Sequence, residues 1–191
     1  MLFNTKDINT SIDIHSDVLS SMNSISPTHT LNRTGKASKV KNDIVDALSN
    51  NCVINFVSNG QFNLHELIES IIVKNGICFE AFISAWAIKP EPARVICSLK
   101  DKKLLQKIHF ILDHRVKGQE HDAMSIIEPC ASSISYKNIH AKVVLLRFEN
   151  LEVSIVTSAN FTKNSRIEVG VVSTNKSTFN FQEEWMRKAM I

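Results

Sequence analysis

The stretch that decides the fold runs from position 139 to position 162, IHAKVVLLRFENLEVSIVTSANFT. Residues 139–146 are mostly β-branched and aliphatic and read as a buried strand. The stretch 147–149, with Arg147 and Glu149 charged, and a turn at Asn150 follow, and then residues 151–157, LEVSIVT, read as a second strand returning antiparallel to the first. Side chains alternate along a strand, so His140 and Lys142 share a face. The polar segment after the hairpin comes back beside them, with Ser158 and Asn160 again two residues apart and on one side. One imidazole, one ammonium, one hydroxyl and one carboxamide then surround a tetrahedral anion.

In-line attack on a phosphodiester without a divalent ion needs these residue types. A neutral imidazole attacks phosphorus, while Lys142, Ser158 and Asn160 stabilise the charge that grows on the equatorial oxygens. A second imidazole has to protonate the leaving oxygen. Glu168, in SRIEVGVV, is the candidate carboxylate for holding the non-attacking ring nitrogen of His140 and setting its tautomer. This chemistry requires neither cofactor nor metal.

H-x-K, a hairpin, and then S-A-N-F-T with Asn164 and Glu168 downstream resembles the phospholipase D superfamily, whose signature is H-x-K-x4-D followed by G-S-x-N. The resemblance covers residues 139–172 or thereabouts, a minority of the chain. It implies an α/β fold with a mixed sheet flanked by helices and a phosphohistidine intermediate. It also implies an active site assembled from two such motifs across a twofold or pseudo-twofold axis. This chain carries one motif. His109 and His114 lack a lysine two residues on, so the expectation is a homodimer in which each subunit is a half-unit supplying one His140. The chain departs from the signature at two positions. Arg147 stands where the motif has Asp, which bears on stability or tuning more than on chemistry, and Thr157 replaces the Gly before Ser158. The alternative they leave open is a phospholipase D-like nucleic-acid-binding module that has lost turnover.

With 191 residues, 43% of them hydrophobic, the chain can bury one sizeable core, and it divides into an arm over 1–35 and a domain over 36–191. No apolar run reaches the length of a membrane span and the N-terminus lacks a basic start followed by a hydrophobic stretch, so no membrane association and a cytoplasmic location are expected. Cys52, Cys78, Cys97 and Cys130 lie in or beside apolar runs without a C-x-x-C pair and read as reduced core thiols. The net charge of +3 is modest. Its cations cluster at Arg33, Lys36, Lys39 and Lys41, at Lys100, Lys102 and Lys103, and at Arg115 and Lys117. Gathered round one groove they would follow a phosphate backbone, making nucleic acid the expected partner, with DNA favoured over RNA. A lipid-directed phospholipase finds no membrane-facing surface here.

Helical spacing of Val40, Ile44, Val45 and Leu48 predicts a helix over 36–50, followed by a strand at 52–57. A turn at Asn59 and Gly60 and a cap at Asn63 precede a helix over 64–73. Strands are expected at 77–82, 94–98 and 107–112, a short helix within 113–130, and a terminal helix within 174–190. The ionisable residues around 113–122 match no metal-ligand spacing. They read as a rim contact to substrate, with His114, Arg115 and Lys117 as candidates. Trp86, in a loop before Pro90 and Pro92, is the preferred aromatic contact to substrate.

Overall fold

Alternate apolar side chains at Cys52, Ile54 and Phe56 turn one face of a strand inward, and this period of two recurs through the sheet that organises the molecule. The computed structural model describes residues 29–33, 37–60, 62–163 and 165–191. Of the expected arm over 1–35, residues 1–28, 34 and 35 lie outside the described residues, as do Lys36 and Asn164, while residues 29–33 form β1. In chain order the elements are β1 (His29–Arg33), α1 (Ala37–Ala47), β2 (Cys52–Asn59), α2 (Leu64–Asn75), β3 (Cys78–Ala85), α3 (Pro90–Asp101) and β4 (Leu105–Asp113). They continue with α4 (His114–Gln119), α5 (His121–Cys130), β5 (Ser133–Lys137), β6 (Val143–Arg147), β7 (Glu152–Thr157), β8 (Ile167–Ser173) and α6 (Lys176–Ala189).

The strands form one mixed eight-stranded sheet in the order β1-β2-β8-β7-β6-β3-β4-β5. β3, β4 and β5 are parallel neighbours, as are β1 and β2, while β6 and β8 run against their partners. The carboxyl ends of β2, β3, β4, β5 and β7 therefore meet the amino ends of β6 and β8 along one edge of the sheet. That edge carries the site. In open α/β sheets it is also the customary ligand edge.

Helices cover both faces unequally. Ile44, Leu67, Ile71, Ile96 and Ile127, from α1, α2, α3 and α5, share one core with Ile54, Ile83, Phe110, Val144 and Ile155. On the opposite face, among the described residues, α6 is the one helix, and it sets Phe179 and Met186 against Phe82, Ile111, Val143 and Leu145. The β7–β8 half of that second face keeps apolar residues in solvent: Ile167 is 68% exposed, Val169 53% and Val156 38%.

The expected turn after β2 is present, with Gly60 at φ +66°. A Cβ there would lie 2.5 Å from the Ser165 backbone, so glycine is required by contact as well as by conformation. Asn63 opens α2, its amide donating to Glu66 Oε2 at 2.7 Å.

Several expectations are corrected. Residues 94–98 are not a strand but the middle of α3. Val95, Ile96 and Cys97 imitate a β-branched run, yet Pro90 starts the helix and Ala93, Ile96, Cys97 and Leu99 bury at helical spacing. Residues 113–130 form two helices, α4 and α5, with Pro129 in the last turn of the second. Cys97 and Cys130 are disulfide-bonded across α3 and α5, and only Cys52 and Cys78 are buried free thiols. The Lys100 cluster sits at the far end of α3, about 18 Å along the helix from the end that abuts the site. Lys100 Nζ donates to the Cys130 carbonyl at 2.6 Å, and Lys102 lies 3.9 Å from Glu69.

Candidate active site

His140 and Lys142 do not lie inside a strand as expected. They lead into β6, which begins at Val143. Their backbone is held by side chains as well as by the ladder. Ser84, fully buried at the end of β3, accepts from Val143 N at 3.0 Å and donates to the Ala141 carbonyl at 3.3 Å. From the other side, Thr157 N donates to the Lys142 carbonyl at 3.1 Å. The His140 ring is left exposed while Lys142 is only 6% exposed.

The Lys142 ammonium donates to the His140 carbonyl at 2.8 Å and lies 3.3 Å from Nδ1 and 3.5 Å from Nε2 of the same residue. The ammonium is nearly equidistant from the two ring nitrogens and so does not fix which of them carries the proton. Burial pushes the Lys142 pKa below its ordinary value, and the Glu168 carboxylate opposes that shift.

Glu168 takes a different position from the one expected. Its carboxylate accepts from Ser158 Oγ instead of from the His140 ring. Ser158 is pinned in addition by Val169, whose amide donates to Oγ at 3.0 Å and whose carbonyl accepts from Ser158 N at 2.9 Å. Thr157 carries no positive φ, so the missing glycine costs no strain. Its hydroxyl accepts from Ala159 N at 3.1 Å and donates to the Val169 carbonyl at 2.9 Å, steering the chain out of β7. The glycine that matters is Gly170. It faces Thr157 on one strand and Phe56 on the other, and a Cβ there would fall 2.5 Å from the Phe56 ring.

The segment then runs along 87–89, with Phe161 N donating to the Ala87 carbonyl at 3.2 Å and Lys89 N to the Phe161 carbonyl at 2.8 Å. Asn160 is thereby carried beside the Trp86 loop. Its Oδ1 is buried and has no hydrogen-bond partner among the described residues.

Among the rim candidates, Trp86 and Arg115 are brought to the site and His114 and Lys117 are not. The Trp86 ring lies edge-on to His140 at 5.5 Å between centroids, and the Arg115 guanidinium sits 4.6 Å from the Trp86 centroid. His114 is an exposed neighbour of Asp113, and Lys117 lies over Tyr136. Asp113 was not singled out from the sequence. Its carboxylate is fully buried at the end of β4, accepts from Arg115 Nε at 2.6 Å and Arg115 N at 3.1 Å, and accepts from Ile139 N at 3.3 Å. Burial alone would raise its pKa, but these bonds outweigh that and hold it below the ordinary carboxylate value. One buried charge therefore positions both the arginine over Trp86 and the backbone beside His140. The sequence signal for it is Asp at an N-cap after an apolar strand, FILDHR.

Arg147 lies at the other end of β6, five residues from Lys142 and thus about 16 Å away. It binds Glu183 at 2.7 Å and Glu80 and Glu152 at 3.1 Å each, above the Phe179 ring. Arg187 joins the cluster through Glu80 and Glu183. Among the described residues no three potential metal ligands converge, and no helix is long and apolar enough to cross a membrane.

The mixed sheet with its helices so placed is that of the phospholipase D-like fold. Neither protein-family models nor curated protein sequences match the chain. Solved structures do. Nuc from Salmonella typhimurium, a phospholipase D family member, superposes with a TM-score of 0.56 at 19% identity, over 72% of this chain and 92% of that one. NucT from Helicobacter pylori gives 0.53 at 17%, over 72% and 95%. Polyphosphate kinase from Porphyromonas gingivalis gives 0.54 at 9%, over 72% of this chain but only 26% of the larger enzyme. At these identities the likeness is one of fold.

Proposed function

We propose that the protein is a metal-independent phosphodiesterase that acts on nucleic acid, an endonuclease working as a homodimer through His140. The observation that carries this reading is an exposed imidazole with a buried ammonium 3.3 Å away, at the open edge of a phospholipase D-like sheet. When a phosphate enters, the Lys142 ammonium turns from the ring to the anion's oxygens and releases the ring nitrogen for attack. The nitrogen–phosphorus bond forms as the phosphorus–oxygen bond to the leaving strand breaks. His140 of the partner subunit gives that oxygen its proton and then takes one from the water that hydrolyses the phosphohistidine. Asn160 Nδ2 donates to the oxygens between, and Ser158 joins it when its hydroxyl turns from Glu168 to the anion.

Support for a second copy comes from the single motif and from the open half of the sheet face. Val156, Ile167 and Val169 lie in solvent immediately beside Ser158 and Glu168, so a twofold partner covering them would also approach the site. Cleavage of an oligonucleotide in EDTA tests the chemistry. His140→Ala is expected to reduce the rate by about a thousandfold or more while leaving the melting temperature unchanged. Binding without wild-type cleavage would instead identify a module that has lost turnover. Light scattering on a gel-filtration column is expected to give the dimer mass, and a monomer at micromolar concentration would remove the shared site.

A further inference from the structure

Beside His140 the chain builds a cavity of about 260 Å³, bounded by Trp86, Lys89, Arg115, Gln119, Glu120 and Thr162. The indole is common to both places. Its ring lies 5.5 Å from the His140 ring, centroid to centroid, and the same residue lines the cavity with the Arg115 guanidinium packed 4.6 Å from the indole centroid. Arg115 is held there by the fully buried Asp113, so its plane is positioned before any ligand arrives. The other polar groups in its lining are the Gln119 amide, the Thr162 hydroxyl and the Lys89–Glu120 pair, joined at 2.7 Å. Arg115 already lies on one face of the indole, so a flat heterocycle would stack on this pair and not between its members, with a few groups able to bond its ring edge. The volume is below the range for drug-sized ligands and leaves no room for a base pair.

We infer that this cavity takes an unstacked nucleobase next to the scissile phosphate, so that the substrate class is single-stranded nucleic acid. The inference rests on the nuclease reading above for the neighbouring phosphate. A base within a duplex is stacked and paired, and reaching the cavity would require flipping it out, whereas a single strand offers its bases freely. Trp86 then sets strandedness while His140 supplies the chemistry.

Fluorescence provides the test, because the chain has only two tryptophans. In full-length His140→Ala/Trp185→Phe protein, Trp86 is the sole indole and turnover is removed. A short oligodeoxynucleotide is expected to quench its emission, and the same strand annealed to its complement is expected to bind more weakly and to quench less. Trp86→Ala should weaken single-strand binding by about 5- to 150-fold, the span of base–aromatic stacking, and Trp86→Phe should restore most of it, which a folding defect would not. Abasic residues in the strand should lose that factor against Trp86 and nothing against Trp86→Ala. An oligoribonucleotide of the same sequence, titrated in parallel, shows which sugar the site prefers once the base is seated. Equal affinity for single strand and duplex with unchanged emission, or an unchanged dissociation constant in Trp86→Ala, would overturn the assignment. The two readings fail separately. Quenching without any wild-type cleavage in EDTA removes hydrolysis and leaves the base cavity, whereas cleavage of both strand forms without quenching does the reverse.

Discussion

Replacing Arg147 tests whether the departure from the family signature at this position concerns folding or chemistry. Arg147 makes charge-assisted bonds to Glu80, Glu152 and Glu183, all part-buried, and lies on Phe179. Charge-assisted bonds are each worth about 1.5–3 kcal/mol when buried. Partial exposure and the remaining Arg187 reduce the sum, while three carboxylates left close together increase the penalty. Arg147→Met, which keeps the apolar stem, is thus expected to destabilise by about 3 kcal/mol. In a chain of this size that lowers the melting temperature by about 6–12 °C. Turnover measured well below that melt should stay within about threefold of wild type, because the guanidinium is about 16 Å along β6 from Lys142. Scanning fluorimetry and an oligonucleotide cleavage assay at one low temperature decide the matter. A loss of activity above tenfold with an unchanged melt would refute the separation of hub from site. Glu183 adds a pH signature. Burial raises its pKa, but bonds from Arg147 and Arg187 outweigh that and hold it below the ordinary value of 4.5. Its folded value is depressed, so its contribution is complete above the unfolded value and is lost as pH falls through the folded one. Arg147→Met should flatten that acid-side loss.

Further outcomes follow from the same geometry. Glu168 opposes the burial that depresses the Lys142 pKa, so Glu168→Gln should move the alkaline limb of the cleavage profile to lower pH, and a limb that stays or rises argues against this pairing. The Cys97–Cys130 bond closes a loop of 33 residues, for which chain entropy gives about 3–4 kcal/mol, so dithiothreitol should lower the melting temperature of wild type and leave Cys97→Ser/Cys130→Ser unaffected. Gly170→Ala drives a methyl into the Phe56 ring and toward Thr157. A cost of about 1–3 kcal/mol with a parallel fall in turnover is expected, and an unchanged melt would show that the ring moves aside freely. Burial lowers the His65 pKa against Glu66, Glu91 and Glu69, and its Nδ1 has no partner among the described residues. Stability from the neutral ring is complete above 6.5 and is lost as pH falls below it, so melts recorded from neutral to mildly acid pH should drop in wild type and flatten in His65→Leu.

The hairpin and the first two helices were readable because their signals are local. Alternation in residues 151–157 and the Asn63 start of α2 need no partner to be recognised. Residues 94–98 misled because β-branched composition and helical burial conflict there, and only packing of Ile96 and Leu99 against the sheet decides between them. The candidate site divides in the same way. His140, Lys142, Ser158, Asn160 and Trp86 are visible as residue types at meaningful spacings. Asp113, Ser84 and Gly170 are not, since each acts through a partner distant in sequence: Ile139, Val143 and Phe56. The disulfide is of this kind too, for nothing in the spacing of Cys97 and Cys130 says that α3 and α5 lie side by side.

These hidden supports explain how a site can stand at the fringe of a sheet. His140 and Lys142 precede the ladder of β6, and Ser158 to Asn160 follow that of β7, so neither pair is secured by regular strand pairing alone. Ser84, Asp113 and the Thr157 hydroxyl supply bonds from their own side chains at those points. Each is a buried or part-buried polar group whose desolvation is offset only while its backbone partner stays in place. Movement of the His140 segment would break the bonds of Ser84 and Asp113 together, which makes the lead-in stiff without making it part of the core. The His140 ring can therefore remain open to solvent on a rigid base, as the nucleophile proposed above would require.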